Sequence, residues 1–186
     1  MPTQRFAQLV SLACHDLRTP LATVNGFAKT LTRGGTLQER EAHFVDLIEA
    51  AADQMTGLLD LLGLAARIES GRFEPALAEA DTFELATSPD ERIVTEGRGA
   101  VIETDPTVAR RSLESIARSA ATHGPASVVT WTVDGRELRL STVTEDAAPI
   151  VTGESPRDLG ALVARRALEF LGGGLVLDGD TLLVRF

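Results

Sequence analysis

Ser11-Leu12-Ala13-Cys14-His15-Asp16-Leu17-Arg18-Thr19-Pro20-Leu21 is the stretch on which the reading of this chain turns. Its apolar positions extend outward as Phe6, Leu9, Val10, Ala13, Leu17, Leu21, Val24, Ala28 and Leu31. They recur every three or four residues, the spacing of one helical face. With the core stripe drawn through Ala13 and Leu17, His15 points outward. Arg18 and Thr19 stand three and four residues further on, on the His15 side of the helix. An exposed imidazole beside a carboxylate, a hydroxyl and a guanidinium suits nucleophilic chemistry. A neutral ring nitrogen can attack phosphorus while a neighbouring carboxylate holds the other N–H. Pro20 has no N–H, so the Asp16 carbonyl loses its helical donor and a local kink is expected beside His15.

A second stripe runs through Phe44, Leu47, Ile48, Ala51, Met55, Leu58, Leu62, Ala65 and Ile68. Gly34-Gly35 breaks the chain between the two stripes, and Thr36 with Glu39 three residues on has the pattern of a capping box. Each helix should span roughly 28–32 residues, about 42–48 Å. Two such helices alone bury only a narrow seam. The expected architecture is an antiparallel hairpin that pairs with a second hairpin into a dimeric four-helix bundle, hence a homodimer.

His15-Asp16-Leu17-Arg18-Thr19-Pro20-Leu21 resembles the H-box of bacterial two-component histidine kinases, in the class with an acid directly after the histidine. Ala66-Arg67-Ile68-Glu69-Ser70-Gly71-Arg72-Phe73 resembles the end of the second helix of that family's dimerisation and phosphotransfer domain. The resemblance implies that His15 carries a phosphoryl group and that Asp16 is its acid/base partner. It implies that Thr19 positions water for dephosphorylating a response regulator. The docking face for the partner's receiver domain would run through Ala22, Asn25, Gly26 and Lys29, with Lys29 and Arg18 complementing an acidic receiver pocket. Magnesium would come from the receiver domain, so no metal or other cofactor is expected on this chain.

Composition narrows the classes. The chain has 186 residues, 27 acids against 18 bases and a formal charge of −9. Such a field disfavours nucleic acid and anionic membranes as partners. Cys14 is the only cysteine, which rules out an intrachain disulfide, and the three histidines lack ligand spacing. No apolar run approaches a membrane span and no leader pattern opens the sequence, so a cytoplasmic location without a sensory module is expected.

The charge is uneven: residues 1–70 hold 8 acids and 6 bases, and residues 71–186 hold 19 acids and 12 bases. The texture changes at the same place, where Gly71 and Pro75 punctuate the switch. The expected domains are 1–72, the helical dimerisation and phosphotransfer domain, and 78–186, an α/β sandwich.

In the second half, strands are expected near 91–95 and 100–103, and a helix over 106–122 with Pro106 in its first turn. Strands over 127–133 and 136–143 flank Asp134-Gly135, a hairpin signal. A helix over 156–171 ends at Gly172-Gly173-Gly174, and strands over 175–177 and 181–186 flank a last turn. This order resembles the ATP-binding domain that follows the H-box domain in histidine kinases. Its nucleotide residues do not carry over. Ser115 and Ser119 stand where the family has asparagines that hold magnesium and phosphates. Glu145 stands at its adenine aspartate, and Ala147 and Pro149 replace two glycines that let backbone approach the ligand. Asp158 precedes Gly160 where the family has a glycine, and places negative charge at a helix N-terminus where phosphate would sit. The segment from Val151 to Arg157 is short for a mobile lid. These changes make ATP binding doubtful and leave a degenerate ATPase-like domain.

The reading is therefore a histidine phosphotransfer protein that carries a phosphoryl group on His15 between response-regulator aspartates and that can also act as a response-regulator phosphatase. It resembles dimeric phosphotransferases with a degenerate ATPase domain. The rivals are an ATP-dependent histidine kinase with divergent motifs and a non-catalytic regulator-binding module. Elsewhere the plain readings are preferred: a surface or seam role for His43, a helix-end role for His123, a core role for Trp131, a packed thiol for Cys14 and a helix C-cap for the triple glycine.

Overall fold

The structure, a computed structural model, describes residues 2–34 and 37–186, with side-chain surroundings from Val10 onward except at Ser11 and Leu12. Thr36, the expected N-cap, lies outside the described residues, as do the surroundings of Phe6 and Leu9. The chain divides into two compact units, one ending at Arg72 and one running Phe73–Phe186.

The first unit is a pair of helices, α1 (Pro2–Arg33) and α2 (Glu39–Glu69). α1 stays helical through Pro20. α2 starts after Gln38, whose N–H donates to the Glu41 carboxylate at 3.0 Å, so the capping pattern sits two residues later than the Thr36 reading. The seam also differs from the expected one. Cys14, Leu21, Ala52 and Leu59 form the buried cluster, with Val10 and Leu62 packed on it. Ala13 is exposed and Leu17 is 54% exposed. The seam thus lies one position away from the Ala13–Leu17 line. The cause is visible in the sequence: apolar residues occupy two adjacent heptad lines of α1, and a hairpin of two helices covers only one of them.

In the second unit, β1 (Ala78–Asp81) and β3 (Val101–Thr104) pair antiparallel as a separate two-stranded sheet. The main sheet contains β2 (Ile93–Gly99), β4 (Val129–Gly135), β5 (Glu137–Leu140), β6 (Gly174–Asp178) and β7 (Thr181–Arg185), in the order β2-β4-β5-β7-β6. Only β2 and β4 are parallel; the other neighbours are antiparallel. The helices are α3 (Thr82–Ala86), α4 (Pro106–His123), α5 (Ala148–Val151) and α6 (Leu159–Phe170). β1, α3 and α5 have no expectation in the sequence reading, and α6 starts three residues later than expected.

Alternation makes the core. Val129, Trp131 and Val133 point inward from β4, Leu138 and Leu140 from β5, and Leu182 and Val184 from β7. Leu113, Ile116, Ala117 and Ala120 of α4 and Ala164 and Leu168 of α6 complete the same cluster. Trp131 is fully buried in it, in keeping with its core reading. The Asp134-Gly135 turn works because Gly135 takes a φ of +61° that a side chain disfavours. After α6, the N–H of Gly173 donates to the Leu168 carbonyl at 2.8 Å and Gly172 has a φ of +84°, so the triple glycine ends a helix.

Candidate functional site

Helical spacing carries His15 one residue past buried Cys14 and so out of the seam, and its side chain is 78% exposed. Its Nδ1 lies 3.0 Å from the Asp16 carboxylate. With Nδ1–H donating to Asp16, Nε2 keeps its lone pair and faces solvent. The pair thus presents an accessible nitrogen nucleophile whose far side is oriented by a carboxylate, which would also stabilise positive charge on the ring. Thr19, Ala22, Gly26 and Lys29 are all exposed and follow His15 at intervals of four, three, four and three. They form one continuous stripe of small residues ending in a cation.

Two residues expected on that stripe belong elsewhere. Arg18 reaches across the seam, where Nη2 lies 3.0 Å from Asp60 Oδ1 and 3.4 Å from the Leu59 carbonyl. Asn25 donates from Nδ2 to Asp53 Oδ1 at 2.7 Å. Both sit on the α2-facing side of α1, three or four residues from Cys14 or Leu21. Both side chains pair within the hairpin, so the exposed stripe itself consists of Thr19, Ala22, Gly26 and Lys29. Asp60 and Asp53 had no role in that reading. Their sevenfold spacing, matching that of Arg18 and Asn25, is the signal that marks them.

Beside the stripe, Leu17, Pro20, Leu21, Val24, Met55, Leu58 and Leu59 line an apolar groove of about 380 Å³.

In the second unit some of the residues at the nucleotide positions pack at the α4–α6 contact. Asp158 caps α6, accepting from the Ala161 N–H at 3.0 Å, and its other oxygen lies 3.5 Å from His123 Nε2 at the end of α4. A Cβ placed on Gly160 would lie 3.4 Å from the Ser115 Cβ, so α4 and α6 are in van der Waals contact there. Ser119 is 1% exposed and its hydroxyl has no partner. Ala147 is buried at the start of α5. The segment after α5 folds back: the N–H groups of Glu154 and Ser155 both donate to the Pro149 carbonyl, and Glu154 pairs with Arg165 at 3.2 Å. Gly153, at φ +70°, permits this, since a side chain there would press on the Ala161 backbone. Glu145 and Pro149, with Thr152, Glu154 and Arg165, line a cavity of about 260 Å³ whose lining includes neither Ser115 nor Ser119. Among the described residues, no group of three or more His, Cys, Asp or Glu side chains is placed to share a metal ion. No helix is long and apolar enough to cross a membrane, again among the described residues.

Residues 7–71 match the His Kinase A (phospho-acceptor) domain family. Over 65 residues the chain is 38% identical to the probable sensor histidine kinase TcrY of Mycobacterium tuberculosis, a match covering 35% of this chain and 14% of that protein. The fold is similar to that of full-length ShkA in complex with AMPPNP, with a TM-score of 0.65 and 24% identity over 95% of this chain and 44% of the other. It is also similar to the histidine kinase AdeS of Acinetobacter baumannii, with a TM-score of 0.50 and 15% identity over 91% and 94% of the two chains. The chain therefore spans less than half the length of TcrY and of ShkA.

Proposed function

We propose that the chain, with a His Kinase A phospho-acceptor match over residues 7–71 and an ATPase-like domain after it, is a histidine phosphotransfer protein of the two-component histidine kinase family working on response-regulator receiver domains. The observation that carries the reading is the contrast between an open His15–Asp16 pair and a closed α4–α6 contact. At His15, Nε2 attacks the phosphorus of a receiver's aspartyl phosphate. The P–N bond forms as the P–O bond to the carboxylate breaks, and the Asp16 contact at 3.0 Å offsets charge on the imidazole. Delivery to a second receiver is the reverse. The receiver's own magnesium serves the carboxylate side of the transfer. The Thr19, Ala22, Gly26 and Lys29 stripe lets a partner helix approach closely and ends in a charge that suits an acidic pocket. Thr19, four residues after His15 and exposed, would hold water for hydrolysis of a docked aspartyl phosphate. The apolar groove is closed by a second copy of the chain, giving the four-helix bundle.

Three features at α4 and α6 support transfer without nucleotide: the Asp158 cap, buried Ser119 and the folded-back 152–158 segment. Incubation with a phosphorylated receiver domain should place label on His15, and His15→Ala should remove it. Absence of label on the wild-type chain ends the proposal. The second reading, an autokinase, is favoured by the fold likeness to ShkA, whose structure holds AMPPNP. It requires a nucleotide to stabilise the protein. A ligand at 100 times its Kd adds about 2.7 kcal/mol, and the transfer reading expects no shift in Tm at millimolar ATP and magnesium.

A further inference from the structure

The seam between α1 and α2 repeats every seven residues on both helices. Cys14, Leu21 and Ala28 are buried on α1; Val45, Ala52, Leu59 and Ala66 are buried on α2. A slide of one helix along the other by a heptad, about 10 Å, would keep apolar residue opposite apolar residue. The apolar pattern alone therefore does not specify the register.

A polar pattern of the same period does. Arg18, Asn25 and Thr32 lie seven residues apart, and each meets an acid of α2: Asp60 at 3.0 Å, Asp53 at 2.7 Å and Glu49 at 2.9 Å. Gly63 gives the first rung its room, since a Cβ there would stand 3.2 Å from Arg18 Nη2. A slide one way sets Arg18 opposite Arg67. A slide the other way sets Arg18 opposite Asp53 but replaces Gly63 under the guanidinium with Thr56, and Thr32 then meets Ala42. A slide of one turn sets Arg18 opposite Thr56 or Leu64. Only the observed register serves all three rungs. The rungs are kept at a cost: the Asn25 Oδ1 is buried with no partner, a sacrifice that suits a polar seam residue retained for specificity.

We propose that the rungs Arg18–Asp60, Asn25–Asp53 and Thr32–Glu49 are a register lock, holding α1 and α2 at one axial offset with His15 three residues before the strongest rung. The inference stands on the hairpin alone and does not require the phosphotransfer reading.

The test measures the offset in the full chain. In a Cys14→Ser background, spin labels at Thr23→Cys and Gln54→Cys, both exposed positions, are read by pulsed dipolar spectroscopy after dilution with unlabelled protein. With the rungs intact, one narrow distance is expected. The variant Arg18→Leu, Asn25→Leu, Asp53→Leu, Asp60→Leu removes both members of the two strong rungs. Its helix content should persist while the distance splits or broadens, with components displaced by up to about 10 Å. A single unshifted distance in that variant, while folded, overturns the proposal. A second pair covers loss of folding. Arg18→Asp should broaden the distribution, and Arg18→Asp with Asp60→Arg should restore it; failure of the swap to restore a single distance also overturns the lock.

Discussion

The hairpin and the α/β unit solve the burial problem in opposite ways. In the α/β unit Leu113, Ile116, Trp131, Leu138 and Leu140 are all at 0% exposure, and a single cluster draws residues from five strands and four helices. In the hairpin the buried cluster is four residues, while Leu17, Val24, Phe27, Leu31 and Leu47 stay 47–68% exposed. One unit is a finished core; the other shows an uncovered apolar line next to an exposed imidazole. The chemistry follows the same division. Where the family's phospho-acceptor sits, this chain opens His15 to solvent. Where a nucleotide would sit, it turns Ser119 inward and caps α6 with Asp158. The proposed transfer from another protein rests on this contrast between an exposed imidazole and a packed α4–α6 contact.

The strongest break of that contrast is His15→Gln. It should abolish phosphoryl labelling by a phosphorylated receiver while leaving Tm unchanged, because the side chain is 78% exposed and its recorded partner is its own neighbour Asp16. A calorimetric scan beside the labelling assay checks both halves. A large fall in Tm would mean the histidine is structural.

Next in size is a matched pair of leucines. Leu113→Ala, at a fully buried position, should cost about 2–5 kcal/mol in denaturant unfolding. Leu17→Ala, at 54% exposure, should change single-chain stability by no more than about 0.5 kcal/mol. It should instead weaken self-association, read by sedimentation across a concentration series. Equal unfolding costs at the two sites would erase the distinction between a finished core and a face awaiting a second copy.

The sequence carried the outline and lost the details where two signals competed. Both long helices, the Asp134-Gly135 hairpin, the Pro106 helix start and the triple-glycine stop are local features with strong residue preferences, and each is where the spacing and turn chemistry placed it. The seam shifted because Ala13 and Leu17 are as apolar as Cys14 and Leu21; choosing between adjacent heptad lines depends on where Arg18 and Asn25 find acids on another helix. Those partners lie 42 and 28 residues away, beyond any local pattern. β1 is short and half-exposed, paired only with β3, so it has no alternating run to announce it. α5 is four residues through a proline, too short to show a period. At the phospho-acceptor, the exposure of His15 followed from its neighbours. At α6, Asp158 was legible as a charge in the wrong place for phosphate, but its pairing with His123 needed the packing of α4 on α6.

The smaller tests concern how the α/β unit is held together. Asp158→Ala removes the α6 cap and should cost about 0.5–2 kcal/mol. Asp158→Asn, which keeps a side-chain acceptor, should lose only part of that. If the cleft is sealed by this packing, neither variant gains a Tm shift with ATP. A gain by Asp158→Ala would show that the carboxylate alone excludes the nucleotide and that the rest of the cleft remains competent.

The smallest expected effect is a pH dependence at Asp90. The Arg92 guanidinium and backbone N–H donate to this carboxylate and Arg118 lies 3.1 Å away, and together they hold its pKa down to about 2. A carboxyl whose folded pKa lies below its unfolded value stabilises the fold above the unfolded value and loses that contribution as pH falls toward the folded one. The Asp90 contribution should therefore be whole at pH 5, decline from about pH 4, and be gone near pH 2. Subtracting the Tm of Asp90→Asn from that of the wild type at each pH isolates this group from the other acids. The difference should shrink toward zero between pH 4 and 2. A difference that stays flat across this window would mean that the two arginines, both about half exposed, are screened by solvent and do not tie the α4 helix to the turn before β2.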